Sequence, residues 1–302
     1  MKQYLDALRH VLDYGVAKGG PQKEDAITGV GVQMRFELDA GFPLITTRSL
    51  KGSWKALRAE LLWILSGSTH LTDLHKDGVH FWDTWGEAKN TLPYGREVGD
   101  LGPIYGHQWR NFGASQEEPD GSFCADGATP KAGAYRKDGV DQITRLIDGL
   151  KRFPDYRRHR VVTWNPKDFN NDDGTERVFI APCHGDFQIV HQNGELTMHH
   201  TQRSGDFPIG IPFNIGEYAL LLMMIAQVTG FKAKALIHTI SDAHIYNDQR
   251  WAVEELLTRE PRPLPTVKLN PKIKNIFDFK IDDIMLENYD PHPQIKNISV
   301  QE

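Results

Sequence analysis

The chain has 302 residues, of which 39% are hydrophobic and 25% charged, and a formal net charge of −5 with a pI near 6.2. This composition is sufficient for a sizeable core, whereas the acidic balance argues against a DNA-binding protein, which usually carries a basic excess. Only two cysteines are present, Cys124 and Cys183, which argues against a disulfide framework and favours a reducing, cytoplasmic compartment.

The first predicted elements are two helices and a strand. Apolar residues at helical spacing predict an opening helix that includes Tyr4 and Leu12, and the N-terminus has no apolar signal core. A period of two predicts a strand from Gly29 to Leu38. A second helix is predicted from Ser53 to Ser66. Glu60 lies within its apolar surface, where a carboxylate is costly unless it has a partner or a purpose.

Two polar stretches interrupt these patterns, and we interpret both as surface insertions. Residues 87–98 contain Pro93 and Gly95, and residues 112–138 are rich in Gly, Ala and Asp. Cys124 lies in the second stretch, which makes it a weak candidate for a nucleophile. Because no repeat or linker separates the rest of the chain, a single domain over residues 1–302 is predicted.

The second half of the chain contains most of the predicted strands. A helix is predicted from Asp141 to Leu150, and the strands that follow it are Arg160–Trp164, Val178–Ile180, Asp186–Val190 and Leu196–His199. Two further helices are predicted, Glu217–Val228 and Asn247–Leu257, and the tail from Ile276 mixes short strands with loops. The apolar run Tyr218–Gln227 is too short to span a bilayer, so we expect a buried helix in a soluble protein without a membrane partner.

Three short motifs in this half combine residue types that suit one kind of chemistry. Cys183 and His184 lie in the run Ala-Pro-Cys-His, and Arg203 and Ser204 follow about twenty residues later. Asn214 ends the run Pro-Phe-Asn. A thiolate can attack an electron-poor carbon, an arginine and a hydroxyl can hold an anion, and an amide can read a polar ring edge. The ordered set predicts a covalent enzyme that acts on an anionic ring compound.

These motifs and several others resemble the thymidylate synthase family in nearly the whole chain outside the two insertions. The additional motifs are Gly41-Phe-Pro-Leu-Ile-Thr-Thr47, Glu60-Leu-Leu-Trp63, Phe81-Trp-Asp-Thr-Trp85, Leu101-Gly-Pro-Ile-Tyr-Gly-His-Gln-Trp109, Asp155-Tyr-Arg-Arg158, Asp242-Ala-His-Ile-Tyr246, Arg259-Glu-Pro-Arg-Pro-Leu-Pro265 and Tyr289-Asp-Pro-His-Pro-Gln-Ile-Lys296. The resemblance implies a single-domain α/β (α+β) fold with a curved mixed sheet flanked by helices. It also implies a homodimer formed sheet to sheet.

The reaction that the resemblance implies joins dUMP with the co-substrate 5,10-methylenetetrahydrofolate, without a metal, to give dTMP and dihydrofolate. Carbon 5 of uracil is a poor nucleophile until a group adds at carbon 6. Cys183 would add there, with Arg203 near its sulfur to lower the thiol pKa. Four more residues match the family's catalytic positions, namely Glu60, Tyr105, His184 and Asp206. Glu60, Tyr105 and His184 would handle protons around the pyrimidine oxygen and carbon 5.

The resemblance also implies the residues that bind the two small molecules. The nucleotide would contact Gln202, Arg203, Ser204, Asp206, Asn214, His244 and Tyr246, together with Arg157 and Arg158 from the partner subunit. Asn214 fits the 3-NH and the 4-oxygen of uracil, whereas an aspartate would fit cytosine better. The folate would contact Trp82, Trp85, Ile180, Asp206, Gly210 and Phe213, and Arg48 would attract its glutamate tail.

Four departures from the family pattern keep alternatives open. Ala26, or Pro21 in an ungapped alignment, stands where a phosphate-binding arginine is expected, and Lys18 or Lys23 is a candidate substitute. Asp186 replaces an aromatic or apolar residue, the strip around Asp206 is altered by Gly205 and Phe207-Pro208, and the C-terminus Ser299–Glu302 is polar. A wetter pocket would suit a hydroxymethylase that makes 5-hydroxymethyl-dUMP, with water in place of hydride. A non-catalytic relative that binds nucleotide or RNA is the third alternative.

Overall fold

The computed structural model describes residues 1–19, 25–169 and 177–300, a mixed set of helices and strands. The helices are α1 (Lys2–Tyr14), α2 (Trp54–Ser66), α3 (Leu71–His75), α4 (Ala88–Thr91), α5 (Tyr105–Asn111), α6 (Gln142–Arg152), α7 (Gly210–Thr229) and α8 (Arg250–Thr258). The strands are β1 (Val16–Lys18), β2 (Ala26–Glu37), β3 (Arg160–Val161), β4 (Asp186–Gln192), β5 (Glu195–Asp206), β6 (Lys232–Tyr246), β7 (Thr266–Leu269) and β8 (Ile284–Glu287).

The chain divides into two compact units. The first unit comprises Met1–Leu57 and Phe187–Glu302, and the second comprises Arg58–Asp186. The prediction of one domain over residues 1–302 therefore stays a prediction, whereas the α/β class with a mixed sheet flanked by helices is confirmed.

The sheet of the first unit has the strand order β1-β2-β6-β5-β4. β2 pairs antiparallel with both β1 and β6, whereas β5 and β6 run parallel. A register shift between Leu196 and Thr197 interrupts the β5–β6 pairing, and such irregularities bend a strand. The parallel register also pairs Asp206 with His244. Two polar residues of the predicted site therefore lie side by side where β5 ends.

Helix α7 makes the crossover connection that the parallel pair β5 and β6 requires. It is apolar on nearly all sides because it is a core helix, and its length and composition would also suit a membrane span. However, 83% of its apolar window is buried. It ends at Gly230, whose φ of 82° is the left-handed conformation in which glycine commonly terminates helices. The prediction of a buried helix in this region is confirmed.

The predicted elements agree with the structure wherever the apolar pattern was regular. The opening helix, the strand after Gly29 and the helix that carries Glu60 are all present as α1, β2 and α2. The strand predicted for Val178–Ile180 is wrong, since Phe179 and Ile180 form bends and Val178 has no regular secondary structure. The predicted strand Arg160–Trp164 is reduced to two residues in β3.

The two predicted insertions belong to the second unit and contact each other. Residues 87–98 contain the short helix α4, and isolated bridges such as Gln116–Tyr135 and Phe123–Pro130 organise residues 112–138. Glu97 joins the two stretches, because its carboxylate pairs with Lys131 at 2.8 Å and accepts the Ala125 backbone N–H at 2.9 Å. The insertions therefore form one joint substructure.

Candidate active site

Cys183 lies in the second unit beside two aromatic rings. Its backbone N–H donates to the Tyr105 hydroxyl at 3.0 Å, and the Tyr105 and His184 rings are 4.6 Å apart between centroids. Tyr105 is buried and opens α5 with a φ of 28°, a value that is rare for a bulky residue. The strained tyrosine holds the backbone of the cysteine, whose side chain is only partly buried.

Glu60 belongs to the same group of side chains through Trp82. The Trp82 indole N–H donates to Glu60 Oε1 at 2.6 Å, and the Trp82 ring packs edge-on against Tyr105 with 5.9 Å between centroids. Glu60 is only 6% exposed. The carboxylate that appeared costly within an apolar helix surface therefore has a hydrogen-bond donor. Five predicted site residues form one contiguous cluster, the cysteine cluster: Glu60, Trp82, Tyr105, Cys183 and His184.

The surroundings of the His184 imidazole and of the Cys124 thiol determine whether each side chain can carry a charge. Desolvation lowers the pKa of His184 to about 3, so its imidazole is neutral near pH 7 and can both accept and donate a proton. Burial, with help from the Glu97 and Asp126 carboxylates, raises the pKa of Cys124. Cys124 is therefore held as an inert thiol in the insertion, in agreement with the weak candidacy predicted for it.

The remaining predicted residues of the second unit lie nearer its surface. Trp85 is half-buried and packs against Trp82 with 5.4 Å between ring centroids, and Ile180 is half-buried. Arg157 and Arg158 are exposed between α6 and β3, where the Arg158 guanidinium covers the Tyr156 ring at 4.6 Å. Their predicted functions stay predictions.

In the first unit, β5 places Arg203 and Gln202 on opposite faces of the strand. Arg203 is exposed on the strand and Ser204 is half-buried, whereas Gln202 is buried. Gln202 Nε2 donates to Asn214 Oδ1 at 3.0 Å. Alternation along the strand therefore presents Arg203 to solvent and turns Gln202 toward Asn214 on α7.

Asp206, at the end of β5, is surrounded by hydrogen-bond donors. Its Oδ1 accepts the Ile209 backbone N–H at 3.0 Å, and its Oδ2 accepts from Gln249 Nε2 at 2.7 Å. Desolvation, opposed by these bonds and by the charges of His244 and Arg48, raises the pKa of Asp206 to about 6. Asp206 therefore changes its protonation state close to neutral pH.

Gln249 is a residue that the sequence pattern did not reveal. It is fully buried, and its Nε2 donates both to Asp206 and to the carbonyl oxygen of Ser299 at 2.9 Å. Its Oε1 accepts the Tyr246 backbone N–H at 3.2 Å. One amide therefore connects Asp206, the end of β6 and the C-terminal tail.

Replacing Gln249 with methionine should destabilise the protein by roughly 1.5–3 kcal/mol at pH 8, because an ionised Asp206 then loses a donor. The pKa of Asp206 already exceeds its ordinary value, so the folded state binds the extra proton and stability falls as pH rises from about 4 to about 6. Loss of the Gln249 bond raises that pKa further. Denaturation curves at pH 5 and pH 8 should therefore give the smaller loss at pH 5. Gln33→Met, the same substitution at an exposed position of β2, is the control. An equal loss of stability in Gln249→Met at both pH values would contradict this account.

The sugar-binding candidates, His244 and Tyr246, lie at the C-terminal end of β6. His244 Nδ1 bonds to Asp242 Oδ1 at 3.1 Å, and its ring packs against Tyr246 with 5.0 Å between centroids. Lys18 forms an ion pair with the other oxygen of Asp242. Lys18 and His244 therefore contact the same carboxylate, that of Asp242. Lys18 stays a candidate substitute for the expected phosphate-binding arginine. Ala26 pairs with Tyr246, and Pro21 and Lys23 lie outside the described residues.

Besides Asp206, three residues predicted for the folate belong to the first unit. Arg48 is 5% exposed, and its Nη2 donates to the Pro208 carbonyl at 2.7 Å. Burial lowers its pKa, and this interior location gives Arg48 contact with the segment after Asp206. Gly210 is the first residue of α7, and a Cβ built on it would lie 3.8 Å from Asn214 Oδ1. The Phe213 side chain is half-buried. Their contacts with folate stay predictions.

Two of the departures from the family pattern have structural explanations. Asp186 Oδ1 accepts the backbone N–H groups of Thr163 at 2.5 Å and Trp164 at 3.4 Å, so it satisfies backbone donors and gives no support to a wetter pocket. Gly205 is closely packed, because a Cβ there would clash with Ile211 Cδ1 and lie 3.0 Å from Gln202 Nε2, so the Ile211 side chain would have to shift.

A second polar cluster in the second unit comprises His75, His80 and Asp83, whose possible metal-ligand atoms lie within 4.8 Å of one another. The Asp83 carboxylate accepts from the two imidazoles at 2.7 and 3.0 Å. Desolvation alone would raise the pKa of Asp83, but these hydrogen bonds lower it. The histidines thus already serve as donors to Asp83, and a metal-free reaction stays a prediction.

Comparison with protein families gives a match over almost the entire chain. The family model described as thymidylate synthase matches residues 2–300. The match includes both compact units and every residue of the predicted site.

Proposed function

Because the chain belongs to the thymidylate synthase family, we propose that it is a methyltransferase that converts dUMP to dTMP. The family identifies a transferase of a one-carbon unit, with a nucleotide and a folate as small-molecule partners. The proposal adds that 5,10-methylenetetrahydrofolate supplies both the carbon and the hydride and leaves as dihydrofolate.

The cysteine cluster is the observation that carries this proposal. Addition of the Cys183 thiolate to carbon 6 moves the ring electrons toward carbon 5 and the 4-oxygen, and carbon 5 becomes the nucleophile. Proton transfers are then needed at the 4-oxygen and at carbon 5. Glu60 and the neutral imidazole of His184 both lie in the cluster and are suited to these transfers.

In the first unit, the proposed nucleotide contacts follow the polar ends of the strands. Arg203 and Ser204 would bind the phosphate with paired and single hydrogen bonds. Asn214 would read the uracil edge, and His244 with Tyr246 would contact the sugar hydroxyl. Asp206, which changes its protonation state near pH 6, would hydrogen-bond the pterin.

The alternative reaction ends with water and gives 5-hydroxymethyl-dUMP. The observation that favours it is the arrangement of residues 299–300. Gln249 Nε2 donates to the Ser299 carbonyl, and the apolar side chain of Val300 is exposed, whereas an apolar residue that seals the site would exclude water better. Incubation with dUMP and the methylene folate distinguishes the two reactions. We expect dTMP and dihydrofolate in equal amounts, measured by absorbance and by mass spectrometry. Hydroxymethyl-dUMP without dihydrofolate would overturn the synthase proposal.

A non-catalytic relative is distinguished by tritium release from 5-tritiated dUMP. Both enzymatic alternatives must remove the hydrogen at carbon 5, whereas a nucleotide- or RNA-binding protein need not. Binding of dUMP without any release of tritium would therefore refute both enzymatic functions.

We also propose that the active form is a cytoplasmic homodimer in which Arg157 and Arg158 enter the partner's site. The exposed β5 residues His199, Thr201 and Arg203 support a sheet face that is available for a partner. Each site would then combine Cys183 of one subunit with the arginine pair of the other.

Mixing two inactive variants should therefore restore activity. Cys183→Ala lacks the nucleophile, and the double variant Arg157→Ala/Arg158→Ala lacks the two phosphate cations that would come from the partner subunit. Refolding them together should give hybrids with one intact site, and about a quarter of the wild-type rate is expected if half of the dimers are hybrids and each has one of its two sites intact. Measured rates that stay at the sum of the separate variants would contradict a shared site.

The control mixes Cys183→Ala with Arg203→Ala. Both of these residues would come from the same subunit, so each site of a hybrid would lack one of them, and activity should stay at the sum of the separate variants. A mixture of Cys183→Ala with the triple variant Cys183→Ala/Arg157→Ala/Arg158→Ala should stay inactive, because every site lacks the nucleophile.

A further inference from the structure

Asn214 is one of four buried polar side chains in the first unit that are joined by consecutive hydrogen bonds. His238 Nε2 bonds to Gln202 Oε1 at 2.9 Å, and Gln202 Nε2 donates to Asn214 Oδ1 at 3.0 Å. Asn214 Nδ2 in turn donates to Glu217 Oε2 at 3.2 Å. Glu217 lies one helical turn after Asn214 on α7 and is 2% exposed. Neither Glu217 nor His238 has a place in the function proposed above.

Two acceptors determine the directions of these hydrogen bonds. They are the Ser204 backbone carbonyl and the Glu217 carboxylate. Gln202 Nε2 also donates to the Ser204 backbone carbonyl at 2.9 Å, which fixes the orientation of the Gln202 amide. At the other end, an ionised Glu217 carboxylate can only accept, which fixes Nδ2 of Asn214. The two ends agree, because both require Asn214 Oδ1 to face Gln202 and Nδ2 to face Glu217.

We propose that Glu217 is a positioning residue that, together with Gln202, locks the Asn214 amide in the orientation that selects uracil over cytosine. This inference rests on the proposed function, in which Asn214 reads the pyrimidine edge. The locked amide keeps one N–H of Nδ2 and one lone pair of Oδ1 for the base. The N–H donates to the uracil 4-oxygen, and the lone pair accepts from the uracil 3-NH.

Cytosine would need the opposite orientation, because its N3 accepts and its 4-amino group donates. A flipped Asn214 would turn Nδ2 toward the Gln202 donor and Oδ1 toward the Glu217 carboxylate. Both hydrogen bonds would be replaced by contacts between like groups in a buried site, where unmade hydrogen bonds are costly. Gly205 leaves space for the Gln202 amide, since a Cβ there would lie 3.0 Å from Nε2.

The test compares the binding of dUMP and dCMP to the full-length protein by calorimetry. Glu217→Gln keeps the size of the side chain, but its amide can either donate or accept and therefore tolerates both orientations of Asn214. We expect the ratio of the two dissociation constants to fall at least tenfold, through weaker dUMP binding and stronger dCMP binding. Glu254→Gln, the same change at an exposed position of α8, should leave the ratio unchanged.

The ratio separates positioning from general support of the structure, which would weaken both nucleotides equally. An unchanged ratio in Glu217→Gln, including an equal loss for both nucleotides, would overturn the inference alone. Gln202→Met removes the opposite contact and should also lower the ratio, so the test remains decisive if Glu217→Gln does not fold. If the unmodified protein binds neither nucleotide, the proposed function is refuted and this inference with it.

Discussion

Replacing Cys183 with serine is expected to reduce tritium release from 5-tritiated dUMP by roughly 10⁴-fold or more, as losses of covalent nucleophiles commonly do. Serine has nearly the same shape, so the contact between the backbone N–H and Tyr105 is retained. Its hydroxyl, however, stays protonated near neutral pH, whereas a thiol with nearby positive charge forms the nucleophilic thiolate. The rate measured at saturating dUMP and folate should therefore fall while nucleotide binding persists.

Cys124→Ser is the matched control for this variant. Both cysteines undergo the same change of sulfur to oxygen, but Cys124 is buried in the insertion and its pKa is raised. The control should retain its full rate. A complementary measurement uses 5-fluoro-dUMP with methylene folate, which should trap a covalent adduct on the peptide that contains Cys183. An adduct on another peptide, or substantial activity in Cys183→Ser, would exclude the proposed nucleophile.

The sequence predicted the elements whose pattern is set by local periodicity. Helices α1 and α2 and strand β2 have regular apolar spacing. The longest strand, β6, was missed except for its terminal motif, because polar residues such as His238 and Asp242 interrupt its apolar alternation. Tertiary contacts satisfy these two side chains, because His238 bonds to Gln202 and Asp242 forms an ion pair with Lys18. Such contacts lie far apart in the sequence and leave no local signal.

The same distinction applies to the candidate site. In the cysteine cluster, Cys183 and His184 could be named from their own run, whereas Glu60, Trp82 and Tyr105 were named because their motifs resemble those of the thymidylate synthase family. Gln249 and Glu217 could not be named, since a glutamine before a helix and a glutamate within one are common at the surface. Only their burial, at 0% and 2% exposure, identifies them as parts of a polar network. The connections of Gln249 to Asp206 and Ser299 depend on residues more than forty positions away in each direction.

Replacing Glu60 with glutamine is expected to lower the turnover rate by about 10²–10⁴-fold, the range that a single general acid–base group usually contributes. Glutamine retains an oxygen that can accept the Trp82 indole N–H, a bond of 2.6 Å in the native protein. The packing of Trp82 against Tyr105 should therefore persist. What the variant loses is the ability to take up and release a proton within a site that is 6% exposed.

This difference gives the Glu60 prediction a signature that a packing defect would not produce. Tritium release and dTMP formation should fall together at saturating substrates, while the dissociation constant of dUMP changes little, because the lost interaction acts in the proton-transfer steps. Glu87→Gln, the same substitution at an exposed position of the second unit, should leave all three quantities unchanged. If Glu60→Gln weakened dUMP binding but kept the turnover rate, Glu60 would be a ground-state binding residue, and the proton transfers would have to be assigned to other groups of the cysteine cluster.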